Sequence, residues 1–352
     1  MKKIFLESHN ISNLTSGLGQ FNYHLLNAIY NIDPKEFKFT VHSSSKSHYD
    51  DFQNFYLFKR YFGFRRYKPF RITSNFDIWH SLNQNTKIEP KNNCKYVLTI
   101  HDVNFIDEIS NDLSHPRNQK FINKLHRASV ITYISNFAKS STHKYFEVPD
   151  VPEYVIYNGN TMVNCDIELG YKPSFKVNGP FIFSIGQFRE KKNFLSLVKM
   201  MNFLKDLSLV ISGDTKTAYA KKIQSYINQN KLSDRVILTG KISEKDKRYF
   251  YKNCYAFVFP SLREGFGIPP IEAMTYGKPV FLSNLTSLPE VGGKYAFYWQ
   301  DFDPEYMTDF FEKSMTKFFS DKSFFQDKLK GQAKKFDWCE SAKKYLSIYR
   351  SL

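Results

Sequence analysis

Short apolar runs recur along the chain, each closed by glycine, proline or a polar cluster, and between them apolar residues repeat at helical spacing. The first run, KKIFLES (residues 2–8), predicts a strand. ISNLTSGLG follows as a glycine loop, and in FNYHLLNAIY the positions Leu25, Leu26 and Ile29, with Leu18 before them, keep to one helix face. Further strands are predicted at FKFTVHS, FDIWHS (76–81), YVLTIHD (96–102) and ASVITYIS (128–135), the last leading into a helix from Asn136. Strands separated by helices imply a parallel, doubly wound sheet. A polar stretch, VIYNGNTMVNCDIELGYKPSFKVNG, interrupts the alternation. It restarts with strand PFIFSIG (180–186), helix NFLSLVKMMNFL, strand SLVISG (208–213), helix AYAKKIQSYINQN, strand RVILTG (235–240), helix EKDKRYFYKN and strand AFVFPS (256–261). Two α/β domains are therefore expected. In open parallel sheets ligands collect beyond the carboxyl ends of strands, where loops enter helices whose first amides attract anions. GLG, HSLNQN, HDVN, GQFREKKN, GKIS and REGFGIPPIE fall at such ends, and the expected site is the cleft between the domains.

The length of 352 residues suits two domains better than one core. MKKIFLESHN has too short an apolar run for a signal peptide, and nothing later approaches the ~18 apolar residues of a membrane span, so a cytoplasmic location is expected. Cys94, Cys165, Cys254 and Cys339 are scattered without CxxC spacing; reduced, mostly packed thiols are expected, with neither zinc nor disulfides. The net charge of +16 calls for an anionic partner, whether nucleic acid, a membrane surface or a phosphorylated ligand. Charge does not choose among these, and the bias toward Lys, Asn, Tyr and Phe also matches an AT-rich genome.

REGFGIPPIE (263–272) leaves the strand through two glycines and is predicted to start a helix at Pro269 or Pro270, with Glu272 in the first turn. Glycine lets backbone approach a ligand closely, proline suits a first helical turn, and the amides freed there bind oxygen-rich groups. Ionised carboxylates only accept hydrogen bonds, so Glu264 and Glu272 match hydroxyl-rich ligands such as a sugar ring and a ribose diol. The competing reading is a structural turn with Glu272 favoured by the helix dipole.

AFVFPSLREGFGIPPIEAMTYGKPVFLSNLTSLPEVGG resembles the donor-binding block of family 4 glycosyltransferases of GT-B fold, including their paired glutamates with seven residues between them. GLGQFNYHLLNAI, LTIHDVNFI, VIYNGN, IGQFREKKNFLSLV, LVISG, RVILTGKISEKD and the closing FDWCESAKKYLSIY fall in that family's order, nearly end to end. The resemblance implies an α/β, GT-B architecture of two Rossmann-like domains facing across a cleft. Residues 1–160 would bind the acceptor and 161–335 the nucleotide sugar, with a final helix, 336–352, crossing back to the first domain. It implies a retaining hexosyltransferase using a UDP- or GDP-sugar, with a lean to GDP-mannose, on a lipid-linked oligosaccharide or lipopolysaccharide acceptor. The implied mechanism is front-face substitution, in which the leaving phosphate helps deprotonate the acceptor, without metal or other cofactor.

Carried over position by position, the resemblance places Glu264 at the donor sugar hydroxyls, Glu272 on the ribose and the amides of Phe266, Gly267 and Ile268 toward the sugar. Lys192 falls on the diphosphate, with Lys191 as the alternative register. Gly17 and Gly19 match a loop that approaches the diphosphate or acceptor, and Ile242 lines the base pocket through its backbone. His101 stands near the reacting sugar, with Asp102 to orient it and His80 as a competing candidate. Gln187 departs from the family: many relatives carry Arg there, so one positive charge of the phosphate clamp is missing.

Asp301, Phe302 and Asp303 form DxD, a metal and diphosphate motif of a different glycosyltransferase fold; here it reads as a loop, and no metal site is expected. Two other functional readings stay open. A basic nucleic-acid-binding protein accounts for the charge but not for the glutamate pair, and no RNA-binding or helix-turn-helix motif accompanies it. A catalytically silent sugar-nucleotide binder is kept open by Gln187. Finally, FKRYFGFRRYKPFR (58–71) interleaves six cations with aromatic rings. It reads either as core aromatics among solvated cations or as a surface for a phosphate-bearing lipid at an anionic membrane.

Overall fold

Near-continuous apolar runs become strands buried on both faces, as a parallel sheet covered by helices requires. The computed structural model describes residues 1–91, 93–162, 168 and 170–352; Cys165 lies outside the described residues. The chain divides into two compact units, Met1–Gly159 with Asp337–Leu352, and Asn160–Phe336.

The first unit contains β1 (Lys2–Glu7), β2 (Phe37–Ser43), β3 (Leu57–Arg60), β4 (Ile78–Ser81), β5 (Lys95–Ile100), β6 (Val130–Tyr133) and β7 (Glu153–Val155), paired in the order β3-β2-β1-β4-β5-β6-β7. The second contains β8 (Phe181–Ile185), β9 (Ser208–Ser212), β10 (Val236–Gly240), β11 (Ala256–Phe259), β12 (Val280–Ser283) and β13 (Phe297–Trp299), in the order β10-β9-β8-β11-β12-β13. Every pairing is parallel. Both sheets are Rossmann-like: the winding reverses between β1 and β4 in one and between β8 and β11 in the other, the switch points where such sheets bind ligands. The apolar pattern does not predict β3, β7, β12 or β13, each only three or four residues long. β3 and β7 are edge strands without a buried position, so no apolar run marks them.

The helix predicted after the glycine loop begins earlier and runs Gly17–Ile32. Ser16 caps it by accepting the Gly19 amide at 3.0 Å, so GLG forms its first turn and not a loop. Its buried stripe of Phe21, Leu25, Leu26 and Ile29 faces the core. The closing helix, Trp338–Ser351, packs beside it within the same unit, with Phe21 5.7 Å from the Trp338 ring and 6.5 Å from that of Tyr345. Asp337 starts this helix by accepting the amides of Cys339 (2.6 Å) and Glu340 (3.0 Å). In the second unit the helix predicted over NFLSLVKMMNFL is shorter, Phe194–Met200. Of the described cysteines Cys254 is buried, Cys94 half-buried and Cys339 exposed, so the expectation of packing fails at Cys339. Among the described residues no helix is long and apolar enough to cross a membrane.

Candidate functional site

At the switch point of the second sheet, the loops leaving β8 and β11 are stitched together. The Leu262 amide and the Ser261 hydroxyl both donate to the Lys191 carbonyl, at 2.7 and 3.1 Å. Asn193, with φ 53°, closes the short turn Glu190–Lys192 in the left-handed region that Asn tolerates. The turn lays Lys192 along Gly186, where an added β-carbon would sit 3.5 Å from Lys192 Cε. The Lys192 ammonium forms an ion pair with Glu264 and lies 4.8 Å from the centre of the Phe259 ring. Both partners are largely enclosed, at 14 and 15 % side-chain exposure. A charge-assisted pair at a strand end can exchange its partners for a phosphate on the lysine and hydroxyls on the glutamate. Lys191 thus supplies backbone to this junction, and Lys192 supplies the ammonium beside Glu264. Gln187, in the same loop, is exposed.

The loop carrying Glu264 is fixed from behind. Ser287 donates to the carbonyls of Glu264 (3.1 Å) and Phe266 (2.7 Å), and the Glu264 amide donates to Thr286 Oγ1 at 3.2 Å. Phe266 is buried against Phe336, ring centres 5.6 Å apart. Gly267 has φ 120°, and a β-carbon there would meet Leu288 at 2.9 Å, so both backbone and space demand glycine.

The following helix is Ile268–Thr275, one or two residues earlier than the sequence predicts, and this moves Glu272 out of the first turn. Dipole stabilisation therefore does not explain it. Glu272 is buried and accepts from Thr161, from Lys247 at 3.0 Å and from Tyr251 at 2.7 Å. Burial alone would push its carboxyl up, but the Lys247 charge and these hydrogen bonds hold it below the usual value of 4.5. The GKIS loop, with half-buried Ile242, leads straight into helix Glu244–Asn253, which carries Lys247 and Tyr251. Those two residues were missed by sequence reasoning, although their spacing of four puts them on one helix face.

Residues 171–334 match the family described as Glycosyl transferases group 1. That stretch is similar to the group 1 glycosyl transferases. The chain is 28% identical over 270 residues to the serotype-specific mannosyltransferase WbdA of Escherichia coli, which covers 70% of this chain and 32% of that protein. It is 31% identical over 175 residues to the O-antigen chain mannosyltransferase RfbU of Salmonella typhimurium, covering 49% of this chain and 47% of RfbU. The chain thus spans less than half the length of either relative. Its fold is shared with Anabaena Alr3699/HepE, solved in complex with UDP and glucose, at TM-score 0.74 and 16% identity over 100% of both chains. The fold class is GT-B, built of two Rossmann-like α/β units.

Outside the matched stretch, the first unit holds the remaining candidates. Gly17 has open space where a β-carbon would go, whereas one on Gly19 would lie 2.0 Å from the Asn13 carbonyl oxygen. Gly19→Ala is expected to destabilise the first unit by about 1–3 kcal/mol, while Gly17→Ala stays within about 0.5 kcal/mol; thermal melts of both variants check this. His101 is buried, and its Nε2–H donates to the Leu82 carbonyl at 2.8 Å. Burial pulls its pKa down to about 4, so it is neutral at pH 7 and presents Nδ1 as an acceptor. The Leu82 carbonyl, rather than Asp102, therefore orients the ring; Asp102 Oδ1 accepts the Asn104 amide at 3.1 Å. His80 is spoken for on both nitrogens, by Tyr349 at 2.6 Å and Thr99 at 2.7 Å, and burial lowers it to about 3. It is a core residue beneath the closing helix.

In the DxD segment, Asp303 caps the helix Pro304–Ser320 by accepting the amides of Glu305 (3.1 Å) and Tyr306 (3.0 Å), and Asp301 accepts the Asp303 amide at 2.7 Å. Both carboxylates have local structural partners. Among the described residues no group of three or more His, Cys, Asp and Glu side chains is placed to hold a metal ion.

Proposed function

We propose that this chain is a retaining glycosyltransferase that moves a hexose, mannose by preference, from a UDP- or GDP-sugar to a lipid-linked oligosaccharide or lipopolysaccharide acceptor, without a metal. The observation that carries the reading is the Lys192–Glu264 pair, set at the switch point of the second sheet, within the stretch similar to the group 1 glycosyl transferases, by the hydrogen bonds from Ser261 and Leu262. A cation there suits the charge growing on a departing diphosphate, and an adjacent carboxylate suits the hydroxyls of the sugar. The preference for mannose is supported by WbdA and RfbU, both named mannosyltransferases. A thermal-shift screen of UDP, GDP and their sugars identifies the donor, because a ligand that binds only the folded state raises the melting temperature. Release of nucleoside diphosphate in the presence of chelator and an acceptor extract is the expected result. Donor binding with no release over that of the sugar nucleotide alone would establish the silent binder instead.

An acceptor at an anionic membrane surface is supported by residues 58–71. Phe64, Tyr67 and Phe70 are 52, 53 and 57% exposed, so these rings are not core. Arg60 and Arg65 both lie 5.4 Å from the Phe62 ring centre, and Arg66 lies 4.8 Å from that of Tyr67. No Asp or Glu occurs between Asp51 and Asp77. Cations near an anionic leaflet contribute about 1 kcal/mol each, and exposed rings insert at the interface. Binding to anionic but not to neutral vesicles is expected, weakened by salt. Replacing Arg65, Arg66 and Lys68 by Ser should reduce it while sparing donor hydrolysis; equal vesicle binding by the triple variant removes this segment from the role.

A further inference from the structure

The carboxyl edge of the first sheet holds an ionisable cluster that the donor-side residues leave unexplained. β1 ends on Glu7, which is fully buried. Nδ1 of His9 lies 2.8 Å from Glu7 Oε1 and 2.9 Å from Oε2, and Nδ1 of His42 lies 3.0 Å from Oε1. An ionised carboxylate only accepts, so both Nδ1 atoms carry hydrogen. Burial by itself would push the Glu7 carboxyl up, but the charge of His9 and the two imidazole hydrogen bonds hold it well below the carboxylate range. Burial likewise pulls His9 down, yet the Glu7 charge and hydrogen bond raise it overall above 6.5, against a smaller opposing effect of Lys124. The pair has one face in the core and one outside: His9 is 27% exposed and Glu7 0%. Among the described residues His9 Nε2 is neither hydrogen-bonded nor enclosed.

The surroundings are cationic and aromatic. Tyr61 stacks on His9 at 4.9 Å and tilts over His42 at 5.2 Å. Its amide donates to the Ser43 carbonyl at 2.6 Å, which ties the chain after β3 to the end of β2. Because β3, β2 and β1 are parallel neighbours, Arg60, Ser43 and Glu7 all end at the same edge, beside the switch point at β4. Stability alone does not explain a buried ion pair, since apolar replacements are often as stable. A buried carboxylate that fixes one nitrogen of an imidazole and leaves the other outside is, however, the usual way of tuning that outer nitrogen for a ligand.

We propose that His9, paired with Glu7 and walled by Tyr61, is the head of an anion site in which its Nε2–H binds the phosphate of a phosphorylated acceptor, with Arg60 at the rim. The word acceptor rests on the transferase reading; phosphate binding at His9 does not. The titratable groups facing His9 are Glu7 from β1, His42 from β2, Tyr61 after β3 and Lys124 from the helix Pro116–Arg127. The imidazolium is present below the raised midpoint of His9 and lost above it. Phosphate affinity therefore falls by about tenfold per pH unit above that midpoint.

The test uses the full chain, methyl phosphate as probe and the imidazole C–H resonances, with the His9 signal identified by its absence in His9→Gln. Methyl phosphate is expected to shift the His9 signal and raise its titration midpoint. His9→Gln should stay folded but melt lower, because buried Glu7 loses its charged partner, and should lose the binding, whereas His9→Lys should restore binding without the loss around neutral pH. Vesicles of phosphatidylcholine containing phosphatidic acid displace methyl phosphate if the natural source is a lipid headgroup, and leave it bound if the source is soluble; either result supports the site. An unmoved His9 signal, or equal binding of methyl phosphate by His9→Gln, overturns it. Nucleoside diphosphate release, measured separately on the same variants, decides the transferase reading on its own.

Discussion

Glu264→Ala is expected to lower turnover at least ~10-fold, the loss that follows from removing one charge-assisted hydrogen bond worth roughly 1.5–3 kcal/mol at the reacting group. The geometry makes a sharper demand. Because Glu264 is ion-paired with Lys192 across loops held together by Leu262 and Ser261, each residue orients the other before a ligand arrives. Lys192→Ala should therefore cost a similar factor, and the double variant should lose little more than the worse single one, since both changes break the same unit. Steady-state kcat/KM for the four proteins of this cycle is the measurement. Near-normal turnover of Glu264→Ala, or full additivity, would remove the pair from the donor site. Lys191→Ala should spare activity by comparison, since Lys191 serves the junction through its carbonyl.

Glu272→Leu is expected to destabilise the second unit by about 3–5 kcal/mol, the usual result of removing one partner from a buried charge pair. It leaves the Lys247 ammonium, at 13% exposure, with only the exposed carboxylate of Glu244 at 3.0 Å in place of the buried one, and the fully buried Tyr251 hydroxyl without its acceptor. Adding Lys247→Met should recover part of the loss, because the mostly buried ammonium that lost its buried partner is then gone. The pH dependence has a definite sign. The folded-state pKa of Glu272 is below 4.5, so its contribution is fully present above 4.5 and disappears as pH falls through the lower folded value. Denaturant melts of parent and Glu272→Leu should accordingly differ most near neutral pH and converge in acid. A constant difference at every pH would mean that packing, and not the charge, carries the effect.

Much of the architecture was legible because it is written in local periodicity. Strands such as KKIFLE and AFVF, apolar on successive positions, have few alternatives to a doubly covered sheet, although β3, β7, β12 and β13 escaped notice. The glycines and prolines of REGFGIPPIE marked a strand-to-helix turn correctly, since Gly267 does sit at φ 120°. The start of that helix was misplaced by a residue or two, and with it the environment of Glu272, because proline is tolerated at several first-turn positions and does not say which one it occupies. The same weakness put GLG in a loop: a serine cap followed by glycines looks like a break until the Ser16–Gly19 hydrogen bond closes it.

The sequence by itself determined the order of strands and helices, two α/β units, and the placement of GQFREKKN and REGFGIPPIE at strand ends, because these depend on residues within a few positions of one another. Only the tertiary structure decided that Lys192 meets Glu264, 72 residues away, since that contact exists because β8 and β11 are neighbours across the switch point. It likewise decided that Glu7 meets His42, 35 residues on, through the β1–β2 pairing. Strand order in a parallel sheet is set by which crossovers bury the most apolar surface, a property of the whole unit that no window of the chain contains.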